Sequence, residues 1–399
     1  MKESIYTNYR LQLPTEEVLG TLVVRDGLIA DIQPDLLPSS HSHLNSSDVI
    51  DGEGDYLLPG LVELHTDNLE RCISPRPGIR WPLDAAVTYH DRDLAAAGIT
   101  TVCDAIAIGD VTPGESVRKT DYDNMIQAVR DRQAAGELLI DHRLHLRCEL
   151  AYETVADIVS DYVDYPALSL ISLMDHTPGQ RQFAKLDKFR EYYMGKHGLR
   201  SDQVDDFIKE RVKAQKIYAD KSRKDLVSLA SKHQLSIASH DDATVEHVEQ
   251  AVSEGANISE FPTTLTAAKA ARSHNLQVLM GAPNLVLGGS HSGNVSAMEL
   301  VKLDLVDLIS SDYVPHSLLQ SVFVMAEVTG KPIYETMKPV TINGAIAIQL
   351  AGDRGSLEIN KRADLLCVRY SPKYSQESRQ ENATVPRLTQ VIKSGRRVA

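Results

Sequence analysis

The sequence predicts an α/β protein: a (β/α)8 TIM-like barrel carrying a small β-sandwich domain formed from both termini. Three observations predict it. Strand-like and helix-like segments alternate eight times through the middle of the chain, the pattern of a (β/α)8 barrel. Both ends are β-prone, yet neither has enough apolar residues to hold a core alone. Polar and ionisable residues gather at the C-terminal ends of the middle strands, where barrel enzymes carry their chemistry. A doubly wound sheet is the rival arrangement.

At the N-terminal end, β-prone runs at 21–25 and 28–32 flank Asp26-Gly27, a hairpin signal. Residues 38–48 are polar and read as a loop tip. Barrel strands are expected at 61–65, 100–108, 145–151, 168–176, 236–240, 258–262, 277–283 and 305–312. Helices follow most of them, for example at 83–97, 121–136 and 154–163, and a long helical gap separates the fourth strand from the fifth. Short strands return at 355–359, 363–370 and 389–398. The domain reading is therefore 58–335 for the barrel, with a helical insertion at 177–233. Residues 1–57 and 336–399 supply the small β-domain.

Composition narrows the class. The chain has 399 residues, 42% of them apolar and 24% charged, with a formal charge of −13. An acidic protein is repelled by nucleic acid and by anionic membranes unless its basic residues cluster. No apolar run reaches the length of a spanning helix, and the first residues have no secretory core. Cys72, Cys103, Cys148 and Cys367 form no Cys-x-x-Cys pair and suggest no disulfide framework. The expectation is a cytoplasmic enzyme of small molecules, with no nucleic-acid or membrane partner. A homo-oligomer is left open.

Side-chain alternation then sorts the strands by face. On the first, Val62 and Leu64 oppose Glu63, His65 and Asp67; on the third, Leu146, Cys148 and Leu150 oppose His145, Arg147 and Glu149. The apolar faces are expected to meet the helices, so the polar faces line the axis. An inward arginine needs a carboxylate, which predicts an ion pair or network of Glu63, Arg147 and Glu149. At the strand ends stand His65, Asp67, Glu149, His176, His240 and Asp312. These are ligand types for zinc, manganese or iron, in number enough for two ions with Glu149 bridging. A lone strand-end histidine is more often a satisfied core residue; the joint pattern carries the metal reading. No Gly-x-Ser-x-Gly, Walker or dinucleotide glycine motif is present. The glycine-rich run 288–294, with His291 and Ser292, offers either backbone donors for phosphate or merely a flexible loop. Asn284 just before it is a further candidate contact.

The order of these residues resembles the amidohydrolase superfamily, through Leu-Pro-Gly-Leu-Val-Glu-Leu-His at 58–65 and Gly-Ser-Leu-Glu-Ile-Asn-Lys-Arg-Ala-Asp-Leu at 355–365. Within it, His-Thr-Asp-Asn-Leu-Glu at 65–70 and Leu-Met-Asp-His-Thr-Pro-Gly-Gln at 173–180 resemble the α-D-ribose 1-methylphosphonate 5-triphosphate diphosphatase family. The resemblance implies metal-dependent hydrolysis of that triphosphate to the 5-phosphate and pyrophosphate, ahead of carbon–phosphorus lyase. It implies that His65-Thr66-Asp67 replaces the superfamily's His-x-His, and that Glu149 stands for its bridging group. It implies that His176 and His240 are the later ligands, with Asp312 as ligand or proton acceptor. The superfamily usually has the two histidines on strands five and six, not four and five, so either a strand is missed in the gap or one is overcounted after it. A carbon–nitrogen amidohydrolase or deacetylase, and an inactive scaffold barrel, are the competing readings.

One feature stands apart from the resemblance. Between 177 and 224 there are thirteen basic and seven acidic residues in an otherwise acidic chain. Such a segment beside the barrel mouth reads as a positive lid for a polyanion, with Arg181, Lys185 and Lys188 as phosphate contacts. The alternative is a solvated helical hairpin with i,i+4 pairing.

Overall fold

A computed structural model describes residues 3–35, 47–76, 78–109, 121–181, 190, 194, 200–289, 293–370 and 385–399. Lys185, Lys188, His291, Ser292 and most of the polar run 38–48 lie outside the described residues.

Both termini build one hydrogen-bonded sheet. From the N-terminal side come β1 (Glu3–Gln12), β2 (Glu17–Arg25), β3 (Leu28–Gln33), β4 (Ser47–Asp51) and β5 (Tyr56–Pro59). The C-terminal side adds β14 (Leu365–Arg369), β15 (Arg387–Lys393) and β16 (Arg396–Arg397), with β14 joined to β5. The β2–β3 hairpin turns at Asp26 and Gly27, whose φ angles of 50° and 84° suit the mirror-image turn that matches strand twist. Tyr6, Leu11, Leu22, Leu57, Leu365 and Ile392 share the core of this unit, so neither terminus holds it alone.

The second sheet is the barrel. Its strands are β6 (Leu61–Thr66), β7 (Ile99–Ile108), β8 (Asp141–Glu149), β9 (Leu168–Met174), β10 (Ser236–His240), β11 (Ile258–Glu260), β12 (Gln277–Gly281) and β13 (Leu308–Ser310). Each pairs in parallel with the next. A parallel bridge between Thr66 and Asp312 closes the ring. Eight strands were expected and eight are found, so none was missed or overcounted: His176 follows the fourth and His240 ends the fifth. The gap between them holds the 33-residue helix Ser201–His233.

Gly60 joins the two units. A Cβ there would lie 2.2 Å from Thr100 Oγ1, so only glycine lets β5 run directly into β6. Below the barrel, Asp141 Oδ2 accepts from Arg354 and Lys393 at 2.8 Å and from Arg362 at 2.9 Å, binding the C-terminal segment to the start of β8.

The face assignment holds on β8 and is corrected on β6. Leu144, Leu146 and Cys148 pack outward with helix residues such as Val129 and Val159. Val62 and Leu64, however, join Cys103, Leu170, Ala238, Ile258, Leu279 and Leu308. A cluster drawn from strands all round the ring can only be the barrel interior. Ala345 and Ala347, from the helix Ile342–Ala347, plug it from below. Register shifts on either side of Val62–Glu63 break the simple period of two and bring His65 inward as well.

Candidate metal centre

The expected Glu63–Arg147 pair does not form. The Glu63 carboxylate instead accepts from the backbone N–H groups of His65 at 2.7 Å and Ser311 at 2.6 Å, stapling the irregular end of β6 to β13. Full burial pushes its pKa up to about 7, against the pull of those donors.

Above this staple a hydrogen-bonded layer surrounds Glu260 at the end of β11. Its oxygens contact His65 Nδ1 at 2.6 Å, His240 Nδ1 at 2.6 Å and the Ser172 hydroxyl at 2.7 Å. Burial disfavours the carboxylate, but His65 and the hydrogen bond from His240 hold its pKa well below the usual range. His145 packs edge-on against His65, with ring centroids 5.1 Å apart, and contacts Ser172 Oγ. Burial pushes His145 down to about 3, so it is a neutral ring.

One step higher, His176 Nδ1 is held by Glu149 Oε2 at 2.9 Å. The second Glu149 oxygen lies 3.3 Å from Arg211 Nη2, which the helix Ser201–His233 carries in from the insertion. With both Nδ1 atoms occupied, His176 Nε2 and His240 Nε2 face the same atom, Asp241 Oδ2, at 3.7 and 3.4 Å. That oxygen is buried and has no hydrogen-bond partner. Burial opposes protonation of His176, but the carboxylates of Asp241 and Glu149 raise it to about 9.

These spacings are long for hydrogen bonds and suit shared coordination. Two donors each about 2.0–2.1 Å from one ion at a tetrahedral angle lie roughly 3.3–3.4 Å apart. Carboxylates holding the far ring nitrogens, as Glu149 and Glu260 do, are the usual outer partners of metal-binding histidines. The donor set fits a divalent cation.

Asp312 closes the ring beside this cluster: its N–H donates to His65 O at 3.1 Å and its carbonyl accepts from Thr66 Oγ1 at 2.8 Å. Burial raises its carboxyl pKa, with the Asp67 charge adding to the rise. His176 and His240 thus converge on Asp241, while Asp312 is bonded through its backbone to His65 and senses the charge of Asp67. Glu149 is engaged by His176 and Arg211, and His65 by Glu260.

Two expected contacts are engaged elsewhere. Arg181 is 5% exposed and donates to the His240 carbonyl at 2.7 Å and Asp242 Oδ1 at 2.6 Å, fixing the turn after β10. Asn284 Oδ1 accepts from Ala297 N at 3.0 Å. Sequence reasoning missed Asp241 and Glu260. Parity directs a residue after His240 to the opposite face, but Asp241 has φ 58° and turns back. Glu260 is a strand-end carboxylate by the rule that found the others, and that signal was available.

No protein-family model matches the chain. Solved structures share its fold: molinate hydrolase, with TM-score 0.64 and 13% identity, covers all of this chain and 94% of its own. N-acetylglucosamine-6-phosphate deacetylase from Pasteurella multocida, with TM-score 0.59 and 13% identity, covers 100% of both. At such identity the likeness concerns fold alone. By sequence, the chain is 44% identical over 364 residues to α-D-ribose 1-methylphosphonate 5-triphosphate diphosphatase of Escherichia coli (strain K12), covering 91% of this chain and 94% of that protein. On that likeness, the chain belongs to the α-D-ribose 1-methylphosphonate 5-triphosphate diphosphatase family.

Proposed function

We propose that this protein hydrolyses α-D-ribose 1-methylphosphonate 5-triphosphate to α-D-ribose 1-methylphosphonate 5-phosphate and pyrophosphate, a step of phosphonate degradation that precedes carbon–phosphorus bond cleavage. The observation that carries the reading is the 44% identity to a diphosphatase of that name across almost the whole of both chains. The reaction belongs to the barrel, 58–335, with 177–233 as its insertion and the remaining residues as the supporting β-domain, in a cytoplasmic setting.

His176 Nε2, His240 Nε2 and Asp241 Oδ2 would hold one divalent ion; His65, Asp67 and Asp312 would serve a second. Zinc, manganese and iron all suit nitrogen and carboxylate donors. When bound, such an ion lowers the pKa of water and withdraws charge from a phosphoryl oxygen. Glu260 and Glu149 keep the imidazoles in one orientation through their Nδ1 atoms. The Asp312 carboxylate, made more basic by burial, accepts the proton of the attacking water. The new phosphorus–oxygen bond forms as the bridging bond to pyrophosphate breaks. Phosphoryl transfer is mostly positioning and charge neutralisation, which is why buried cations beside these carboxylates matter.

The test is pyrophosphate release by the metal-loaded wild-type enzyme from the ribose methylphosphonate triphosphate, run beside a panel of small amides. Release from the triphosphate alone supports the reading. Hydrolysis of amides with the triphosphate left intact would replace it with the carbon–nitrogen alternative.

A further inference from the structure

Arg147 is the interior cation that the site described above does not use. It lies on the inward face of β8, one alternation above His145 and one below Glu149, with Leu146 and Cys148 pointing away into the helix layer. It is 8% exposed. Its Nε is buried with no hydrogen-bond partner, and among the described residues no carboxylate lies within ion-pair distance of it. The neighbouring buried arginines differ. Arg181 is tied to Asp242 and Arg211 to Glu149.

A buried guanidinium without a counter-charge is costly, and burial of this kind is normally paired. The carboxylate expected for it, Glu63, is committed to two backbone donors. The wall beside Arg147 is also cut back. Its partner in register on β7 is Ala107, and the next inward position, opposite His145, is Ala105. On the other side its register partner is Ser172. The arrangement therefore combines a planar donor, without a counter-charge among the described residues, with small neighbours. Its charge reaches across the barrel to Asp312, whose carboxyl it stabilises in the ionised form.

We propose that Arg147 binds the non-bridging oxygens of a substrate phosphoryl group, acting as the resident counter-charge for the triphosphate at the barrel axis. A guanidinium presents paired N–H donors that match two phosphoryl oxygens at once. The same contact strengthens as charge moves onto those oxygens during bond cleavage, so the residue acts on turnover as well as on binding. The assignment rests on the diphosphatase reading for the identity of the anion. It rests on the burial of Arg147, and on the absence of a counter-charge for it among the described residues, for the site itself.

The experiment compares wild type, Arg147→Met and Arg147→Lys by thermal unfolding, with and without inorganic phosphate, on metal-free and metal-loaded protein. Arg147→Met, which at similar volume removes a buried charge that no described carboxylate neutralises, should leave the ligand-free melting temperature equal to or above that of wild type. Its phosphate binding should weaken at least about tenfold, as expected for losing hydrogen bonds to a charged group. Arg147→Lys should keep part of the phosphate response, since it retains charge but not the paired donors. With the triphosphate, Arg147→Met should raise KM and lower kcat together. A marked fall in ligand-free melting temperature with an unchanged phosphate response would make Arg147 a structural residue and overturn the proposal. Failure of wild type to release pyrophosphate would instead refute the diphosphatase reading alone, because the phosphate response is measured without turnover.

Discussion

Two groups of histidines and carboxylates are built from the same residue types, one outside β7 and β8 and the other at the C-terminal ends of β9 and β10. The outer one is His90, Asp104 and His142, sealed between β7, β8 and the helix Leu83–Ala96, with all three side chains buried. Asp104 bonds His90 Nε2 and His142 Nδ1 at 2.7 Å each, and Asp91 meets His142 Nε2 at 3.3 Å. The inner one is His176, His240 and Asp241, where Asp241 Oδ2 stands 3.4–3.7 Å from two imidazole nitrogens and has no hydrogen bond. In the outer group, short hydrogen bonds join the donors directly to one another. In the inner group, the far side of each ring is pinned while the near sides converge. Proximity of histidine and carboxylate is common to both; what separates a candidate metal centre from a structural network is which atoms are left over.

The largest contrast should come from removing the central carboxylate of each group. Asp241→Asn should cut pyrophosphate release by on the order of 10²–10³-fold and lower bound metal, with a much smaller loss of stability. Asp104→Asn should do the reverse. Breaking a buried charge network costs roughly 3–5 kcal/mol, visible in urea unfolding, while metal content stays at the wild-type value. Similar effects from both substitutions would erase the distinction drawn here.

A smaller effect is expected from the outer partner of the inner group. Glu149→Gln keeps the shape but weakens the hold on His176 Nδ1, and such changes typically cost about 10–100-fold in metal affinity. Titration with a competing chelator measures it. An unchanged affinity would mean that Glu149 serves Arg211 and the insertion helix rather than His176.

The gentlest probe is pH. Burial opposes protonation of His142, yet Asp104 and Asp91 raise it to about 10. A histidine raised on folding contributes stability fully below its unfolded pKa of about 6.5, and that contribution is lost as pH climbs through the folded value. Wild-type unfolding free energy should therefore decline between pH 6.5 and pH 10. In His142→Gln it should start lower and decline less; parallel curves would place the proton elsewhere.

The architecture was legible because strand-like and helix-like segments alternate eight times, and because Asp26-Gly27 has the signature of a hairpin turn. The site was legible where a side chain lies on an unbroken strand, as with His240 and Glu149. It was hidden where the backbone leaves the regular path. Asp241 at φ 58° sits in a left-handed conformation, costly for non-glycine residues and frequent at functional sites. Val62 and His65 both reach the interior because register shifts interrupt β6, and no alternation rule anticipates a bulge. Arg181 showed the limit of charge counting: an excess of basic residues says where cations are numerous, not which of them is already paired with Asp242.

The central claim is that the leftover atoms of the inner group, and not the saturated outer group, take the divalent ion. Crystals of the protein grown with manganese or zinc, with anomalous scattering collected at the metal edge, test it directly. A peak is expected between His176 Nε2, His240 Nε2 and Asp241 Oδ2, and none within reach of Asp104. A peak between His90, Asp104 and His142, or no peak at the barrel mouth under saturating metal, would contradict it.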